Sequence, residues 1–125
     1  MKNLYLMLLV PLLPLAGKSP DPVAPTKAIE LFQAKDLSGF TTWLEGIGGK
    51  DEKGVFSIKD GVLRVSGVGR GYVGPKQSYK DYHLTVEYKW GKKTDGGKYV
   101  RNSGLLIHAT GPEGNSGDKW MASVE

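Results

Sequence analysis

The sequence predicts an all-β protein, and three observations support that prediction. Residues 82–90 alternate without a miss between apolar and polar side chains, which is the pattern of a half-buried strand and not of a helix. Asp60-Gly61 stands between two β-branched runs, and glycine there allows the positive φ that a tight hairpin turn requires. The 125 residues include 18 glycines and 7 prolines, a composition that suits turn-rich β architecture.

Short strands separated by turns and loops are expected along the first half of the domain. Residues 29–32 and 40–44 have β character, and residues 35–39 between them form a turn. A glycine-rich, charged loop covers residues 46–54. The two hairpin strands and one further strand then follow, at residues 55–58, 62–65 and 71–73.

Three strands are expected in the second half, at residues 82–90, 104–109 and 120–125. Residues 104–109 are apolar on both faces, which places that strand centrally in a sheet. Polar loops at residues 92–98 and 110–119 separate the three strands. Because the sequence stops inside an alternating strand and a sandwich needs partner strands over both inner faces, we expect the natural domain to be longer.

An export signal is expected at the amino terminus. Lys2 gives a basic start, residues 4–15 form an apolar run, and Ala16-Gly17 supply small residues near a cleavage point. The run is too short to span a bilayer as a helix, although a buried N-terminal helix and an uncleaved anchor remain as alternatives. We therefore predict an exported protein, with no transmembrane segment after cleavage. The predicted divisions are a signal peptide, a proline-rich linker and a folded domain, over residues 1–17, 18–27 and 28–125.

Charge and cysteine content exclude several classes of function. The formal net charge is +4, but the basic residues are scattered and do not form the stripe of a nucleic-acid-binding surface. A solvated surface explains this charge, and a weak attraction to acidic glycans is the alternative. The absence of cysteine excludes disulfides, thiolate nucleophiles and cysteine-based zinc sites within these residues.

The sequence around Gly69 matches the spacing G-x-G-x-x-G, ending at Gly74. A dinucleotide site also needs a helix directly after these glycines, and Pro75 follows instead. The glycines are therefore expected to serve bends and close approaches of the backbone.

Strand parity places four polar side chains on one predicted sheet face. If the apolar residues of each strand point inward, these four point outward, and they lie together provided that the three strands are neighbours. The face would then hold an acid, a base and a cation on a rigid platform. The residues concerned are Glu87, Lys89, His108 and Glu125. A hydrogen-bonded structural histidine is the alternative for His108.

Arg101 and Asn102 directly precede the His108 strand and are further candidates. The arginine is suited to stabilise a developing oxyanion or to hold a sugar hydroxyl, although loop chemistry explains it equally well. The tryptophans could stack on sugar rings, but Trp90 and Trp120 fall on apolar faces, which favours core packing. No metal motif is present; with two histidines a His-only site is impossible, and a mixed carboxylate site remains open.

Five sequence blocks in order resemble one family, the 3-keto-disaccharide hydrolase domain, formerly a domain of unknown function. The blocks correspond to an opening LF-x-x-KDLSGF, a D-G hairpin, a Y-x-D-Y-x-L-x-V-E-Y-K-W strand, an N-S-G-L-L-I-H strand and a closing W-x-x-S-V-E. They lie at residues 31–40, 54–63, 79–90, 102–108 and 120–125.

The resemblance implies a concanavalin A-like jelly roll of two antiparallel sheets. It also implies an exported bacterial enzyme that acts on glycosides oxidised at sugar C3, in a domain that continues past Glu125. A ketone at C3 acidifies the hydrogen on C2, so a base can remove it and the C1 substituent then leaves. His108 is the candidate base, Glu125 the acid or a metal ligand, and Arg101 or Lys89 the group that faces the enolate. Glu87, Lys89 and Asn102 are assigned to substrate binding.

Two non-catalytic alternatives remain at this point. The same kind of sandwich can bind glycans on its concave face without chemistry, which predicts affinity for unoxidised oligosaccharide and no turnover. A structural cell-surface domain predicts neither binding nor turnover. The sequence defines neither a cofactor nor the oligomeric state.

Overall fold

The computed structural model describes residues 21–92 and 101–125 and contains only strands, turns and loops over those ranges. The six strands form three antiparallel pairs, β1 with β4, β2 with β3 and β5 with β6. Their bounds are β1 Phe40–Leu44, β2 Phe56–Lys59, β3 Val62–Val65, β4 Gly71–Pro75, β5 Ile107–Thr110 and β6 Ala122–Val124. The predicted all-β class is thus confirmed, and the two-layer jelly roll stays a prediction. Within the described ranges, no helix has the length and apolar character needed to cross a membrane.

The β2–β3 hairpin has the turn that its sequence predicts. Asp60 and Gly61 are the two turn residues, with φ of 53° and 72°, which defines a type I′ turn. Lys59 pairs with Val62 directly across the turn. At the start of β2, the Asp51 carboxylate accepts the N–H of Val55 at 2.7 Å and the N–H of Phe56 at 2.8 Å.

Strands β1 and β4 pair with each other, and the β2–β3 hairpin lies between them in the sequence. Phe40 lies opposite Pro75, and Trp43 lies opposite Tyr72. Gly71 allows this pairing, because a Cβ atom there would lie 2.0 Å from the carbonyl oxygen of Trp43. The expected role of the glycine-rich motif in close backbone approach is therefore confirmed at Gly71.

The core lies where the β1–β4 pair, the β2–β3 pair and their loops meet. Its buried residues are Leu44 at the end of β1, Val55 before β2 and Phe56 at its start. Partly buried apolar side chains pack around them, namely Leu37, Leu63 and Val73. The hairpin therefore buries one face, and the face that carries Lys59 is exposed.

Strands β5 and β6 pair with an irregular register. Ile107 lies opposite Val124 and Thr110 opposite Ala122, so the β5 side has one residue more between the two pairs. This is a β-bulge, and it shifts the alternation of side chains on β5. His108 lies within it, with φ of 53°.

Two predicted strands are absent from the described structure. Residues 29–32 are irregular, and residues 82–90 form no backbone pairing with any described strand. The alternation in residues 82–90 identifies an apolar side, but a strand also needs a neighbour to accept its backbone hydrogen bonds. Its aromatic side chains consequently remain accessible, with Tyr88 77% and Trp90 45% exposed.

The second half of the chain also corrects two expectations about burial. Residues 104–109 were expected to lie centrally in a sheet, but β5 has a single partner and its residues are half-buried or exposed. Trp120 was expected in the core and is 37% exposed. A two-stranded pair covers neither of its faces, which explains why apolar side chains on both strands remain accessible.

The structure describes the turn expected at residues 35–39 and part of the linker expected at residues 18–27. Asp36 accepts the N–H of Ser38 at 2.8 Å, and hydrogen bonding from Ser38 lowers the pKa of this carboxyl. In the linker, Val23 forms a parallel bridge with Tyr79. The signal peptide predicted over residues 1–17 and most of the 92–98 loop lie outside the described residues.

Replacing Gly71 should destabilise the β1–β4 pair. The added methyl group of Gly71→Ala meets backbone atoms of Trp43 and Leu44, which can move only if the pairing opens. We expect a loss of about 1–3 kcal/mol in the free energy of unfolding, measured by urea denaturation. Gly74→Ala is the matched control, since a Cβ on that glycine of the same strand has no neighbour within 4 Å. Equal effects from both substitutions would contradict this account.

Candidate functional site

His108 occupies a special backbone position on β5. A positive φ is uncommon outside glycine, and among other residues histidine, asparagine and aspartate tolerate it best. Bulges are frequent beside active sites, where they redirect a side chain. The imidazole is exposed, so a ligand has access to it. The local geometry therefore agrees with a functional histidine.

Glu125 directly follows β6, the strand that pairs with the His108 strand β5. Its carboxylate lies against Gly104, where an added Cβ atom would be 2.3 Å from the Glu125 oxygen Oε1. A larger residue in place of Gly104 would displace this carboxylate. An imidazole on β5 and a carboxylate directly after β6 are side chains of the types that transfer protons.

Arg101 is held by two contacts with the end of the 82–90 segment. Its Nη2 donates a hydrogen bond to the carbonyl oxygen of Gly91 at 2.5 Å. Its guanidinium carbon lies 6.0 Å from the centre of the Trp90 ring, within the range of a cation–π contact. Tyr88 contacts the same ring edge-on, with 6.0 Å between the two ring centres. These contacts place a permanent cation beside two accessible aromatic rings.

Lys89 lies in a groove beside the β2–β3 hairpin. The groove is lined by residues of the hairpin and of the 82–90 segment, namely Lys59, Asp60, Val62, Arg64 and Lys89. Glu87 and Asn102 are exposed. The expected platform of four residues on one sheet face requires residues 82–90 to neighbour β5 or β6, and the described strands do not include that pairing. His108 lies on β5 and Glu125 directly follows its partner strand β6, whereas Glu87 and Lys89 lie on a segment that pairs with neither strand.

The loop expected at residues 110–119 links the β5–β6 pair to the β1–β4 pair, a role that its sequence did not indicate. The indole N–H of Trp43 donates to the carbonyl oxygen of Asp118 at 3.1 Å, and the N–H of Gly46 donates to the Asp118 carboxylate at 2.8 Å. Gly114 packs on the indole ring so closely that a Cβ atom there would lie 2.5 Å from it. Glu45 adds ion pairs at 3.5 Å to Lys119 and to an arginine before β4, Arg70.

Asn115 connects this loop to both strands of the candidate site. Its side-chain amide donates to the carbonyl oxygen of Thr110 at 2.9 Å and accepts the N–H of Ala122 at 2.7 Å. One side chain therefore links the last residue of β5 to the first of β6. The glycines at 111, 114 and 117 around this asparagine are the signal that indicates a tightly turned loop.

Tyr72 joins the β1–β4 pair to the same loop. Its hydroxyl donates to the Glu113 carboxylate and accepts the N–H of Gly114 at 3.2 Å. Burial and the hydrogen bond to Glu113 together raise the pKa of the Tyr72 hydroxyl. The fold therefore stabilises the neutral phenol of Tyr72 relative to the phenolate.

The described residues do not gather a metal site. No group of three or more histidine, aspartate or glutamate side chains in residues 21–92 and 101–125 is arranged to hold a metal ion.

Comparison with known proteins identifies the family. The model of the 3-keto-alpha-glucoside-1,2-lyase-like domain matches residues 27–125. The match covers most of the chain, so this protein belongs to that family, and the resemblance found in the five sequence blocks is confirmed. The family description relates the domain to carbohydrate. Neither the curated proteins nor the solved structures gave a match.

The phenol of Tyr72 should ionise above the ordinary pKa of a tyrosine. Because its folded-state pKa is raised above the ordinary value of 10.0, the contact stabilises the fold below pH 10 and is lost as the pH rises through the raised value. We expect an ultraviolet titration of phenolate to show a late step that is absent from Tyr72→Phe. Tyr88→Phe, at an exposed position, should retain the late step. A late step that persists in Tyr72→Phe would show that another tyrosine causes it.

Proposed function

We propose that this protein is an exported enzyme that cleaves 3-keto-glycosides or 3-keto-disaccharides by elimination. The observation that carries the proposal is the family match over residues 27–125. The family description names a lyase-like domain for a 3-keto-α-glucoside, and a ketone at C3 makes elimination across C1 and C2 chemically accessible. The apolar run in residues 4–15 supports export.

The reaction needs a base, an acid and a cation that faces the enolate oxygen. A base removes the hydrogen on C2, and the electron pair of that C–H bond forms an enolate with the C3 carbonyl. The bond between C1 and the glycosidic oxygen then breaks as the double bond moves between C1 and C2, and an acid protonates the departing oxygen. Water adds afterwards, with hydroxyl at C1 and hydrogen at C2, so the net reaction is hydrolysis.

His108 is the proposed base. Imidazole gains and loses a proton near neutral pH, and this side chain is accessible on β5. The positive φ at the bulge supports the assignment, since strained backbone tends to persist where function requires it. Glu125, directly after the adjacent strand β6, is the proposed acid.

Arg101 is the proposed cation for the enolate. A guanidinium stays charged under all physiological conditions and offers several donors to an oxyanion. Its contacts with Trp90 and with the Gly91 carbonyl limit the orientations it can adopt. Glu87, Lys89 and Asn102 complete the proposal as groups that bind sugar hydroxyls.

Selective cleavage of an oxidised sugar is the first expected result. Full-length protein is mixed with a 3-keto-disaccharide and, separately, with the unoxidised disaccharide, and release of the second sugar is followed by chromatography. We expect cleavage of the keto sugar alone, because only the ketone acidifies the C2 hydrogen. Binding of both sugars with cleavage of neither would show that the protein is a glycan-binding module and not an enzyme. Equal cleavage of both would exclude the elimination.

Substituting His108 should remove activity and leave the fold intact. Asparagine tolerates the positive φ but cannot act as a base, so His108→Asn should lower kcat/KM about 100- to 10,000-fold without changing the unfolding midpoint. The chain has one other histidine, and His83→Asn is the matched control that should retain activity. Full activity of His108→Asn would exclude the histidine as the base.

A further inference from the structure

We propose that the groove beside the β2–β3 hairpin binds an oxyanion, namely a carboxylate or sulfate carried by a sugar unit. Its five lining residues are defined above as Lys59, Asp60, Val62, Arg64 and Lys89, and we call it the cationic groove. This inference rests on the proposed function only in taking carbohydrate as the carrier of the anion. It adds to that function a preference for acidic sugars.

The hairpin holds two of the three cations on a fixed surface. In its register Lys59 lies opposite Val62, and Ser57 lies opposite Arg64. Because side chains alternate along a strand, these four share one face. The opposite face contributes Phe56 to the core, with Leu63 packed against it. Burial of that face fixes the orientation of the basic face.

The third cation comes from outside the hairpin. Lys89 belongs to the 82–90 segment and lines the same groove, so the hairpin and a second piece of chain bring basic residues to one place. The local formal charge is three cations less the carboxylate of Asp60, or +2. None of the three cations forms an ion pair with another residue in the described ranges. Three cations that repel one another in a shared groove favour an anionic ligand.

The chemistry of the lining residues selects the kind of anion. A guanidinium matches the two oxygens of a carboxylate or sulfate, and ammonium groups add point charges beside it. Val62 supplies an apolar surface between the charged groups, suited to the C–H face of a sugar ring. A neutral sugar would leave the repulsion among the cations in place. The groove therefore fits a uronic acid or a sulfated sugar.

Binding of defined sugars to the full-length protein tests the proposal independently of turnover. The probes are a diuronic acid, a sulfated disaccharide, a neutral disaccharide of the same linkage and inorganic sulfate, each titrated by calorimetry at low salt and at about 0.15 M salt, where the Debye length is about 8 Å. We expect an acidic disaccharide to bind, the neutral one to bind at least about tenfold more weakly, and added salt to weaken only the acidic one. Comparison of the first two probes distinguishes carboxylate from sulfate, and the last shows whether the sugar contributes.

Three variants change the charge of the groove in opposite directions. Arg64→Gln and Lys89→Gln should each weaken binding of the acidic disaccharide about three- to tenfold. Asp60→Asn raises the local charge from +2 to +3, keeps a residue that tolerates the turn φ of 53°, and should tighten binding. Lys53→Gln is the matched control for charge, in the exposed loop before β2, and should have no effect.

Unchanged affinity in both Gln variants, or equal weakening by Lys53→Gln, would overturn the proposal. Affinity for the neutral disaccharide equal to that for the acidic ones would also overturn it. Because these measurements do not require turnover, a groove that binds acidic sugars while 3-keto-disaccharides remain uncleaved would refute the proposed function alone. Cleavage of the keto sugar without any preference for acidic sugars would refute the groove alone.

Discussion

The hydrogen bond from the Trp43 indole to the Asp118 carbonyl is the contact on which the described arrangement depends. It joins β1 to the loop between β5 and β6, at 3.1 Å. The ring also rests on Gly114, which leaves no space for a side chain at that position. Without this contact the loop would lose its direct bond to β1, and the β5–β6 pair that carries His108 would be joined to the β1–β4 pair less firmly.

Asp118 serves this junction through three separate groups. Its carbonyl oxygen accepts from Trp43, its carboxylate accepts from the Gly46 N–H, and its own N–H donates to the Gly114 carbonyl at 2.9 Å. Its φ of 59° is one that aspartate tolerates better than most residues. The residue thereby satisfies backbone groups on both sides of the junction, which a purely apolar contact would not do.

Elements that depend on neighbouring residues could be predicted from the sequence, and elements that depend on distant ones could not. The Asp60-Gly61 turn and strand β1 follow from local turn chemistry and β-branched content, and the structure confirms both. Residues 82–90 carry the most regular alternation in the chain, yet pairing requires a partner that no local pattern supplies. The candidate site divides in the same way. The β character around His108 and before Glu125 could be predicted locally, whereas the pairing of these strands could only be assumed and the bulge at His108 depends on the register of that pairing.

The separation of Trp43 and Asp118 along the chain has a consequence for the order of folding. The β2–β3 hairpin closes over a two-residue turn, whereas the indole contact closes a loop of 75 residues. The entropy cost of closure rises by about 0.6 kcal/mol for each doubling of loop length, so the hairpin can form while most of the chain is still disordered. During synthesis Trp43 emerges long before the carbonyl oxygen that accepts its N–H exists. The nascent amino-terminal half therefore lacks this partner for Trp43 until the loop between β5 and β6 has been made.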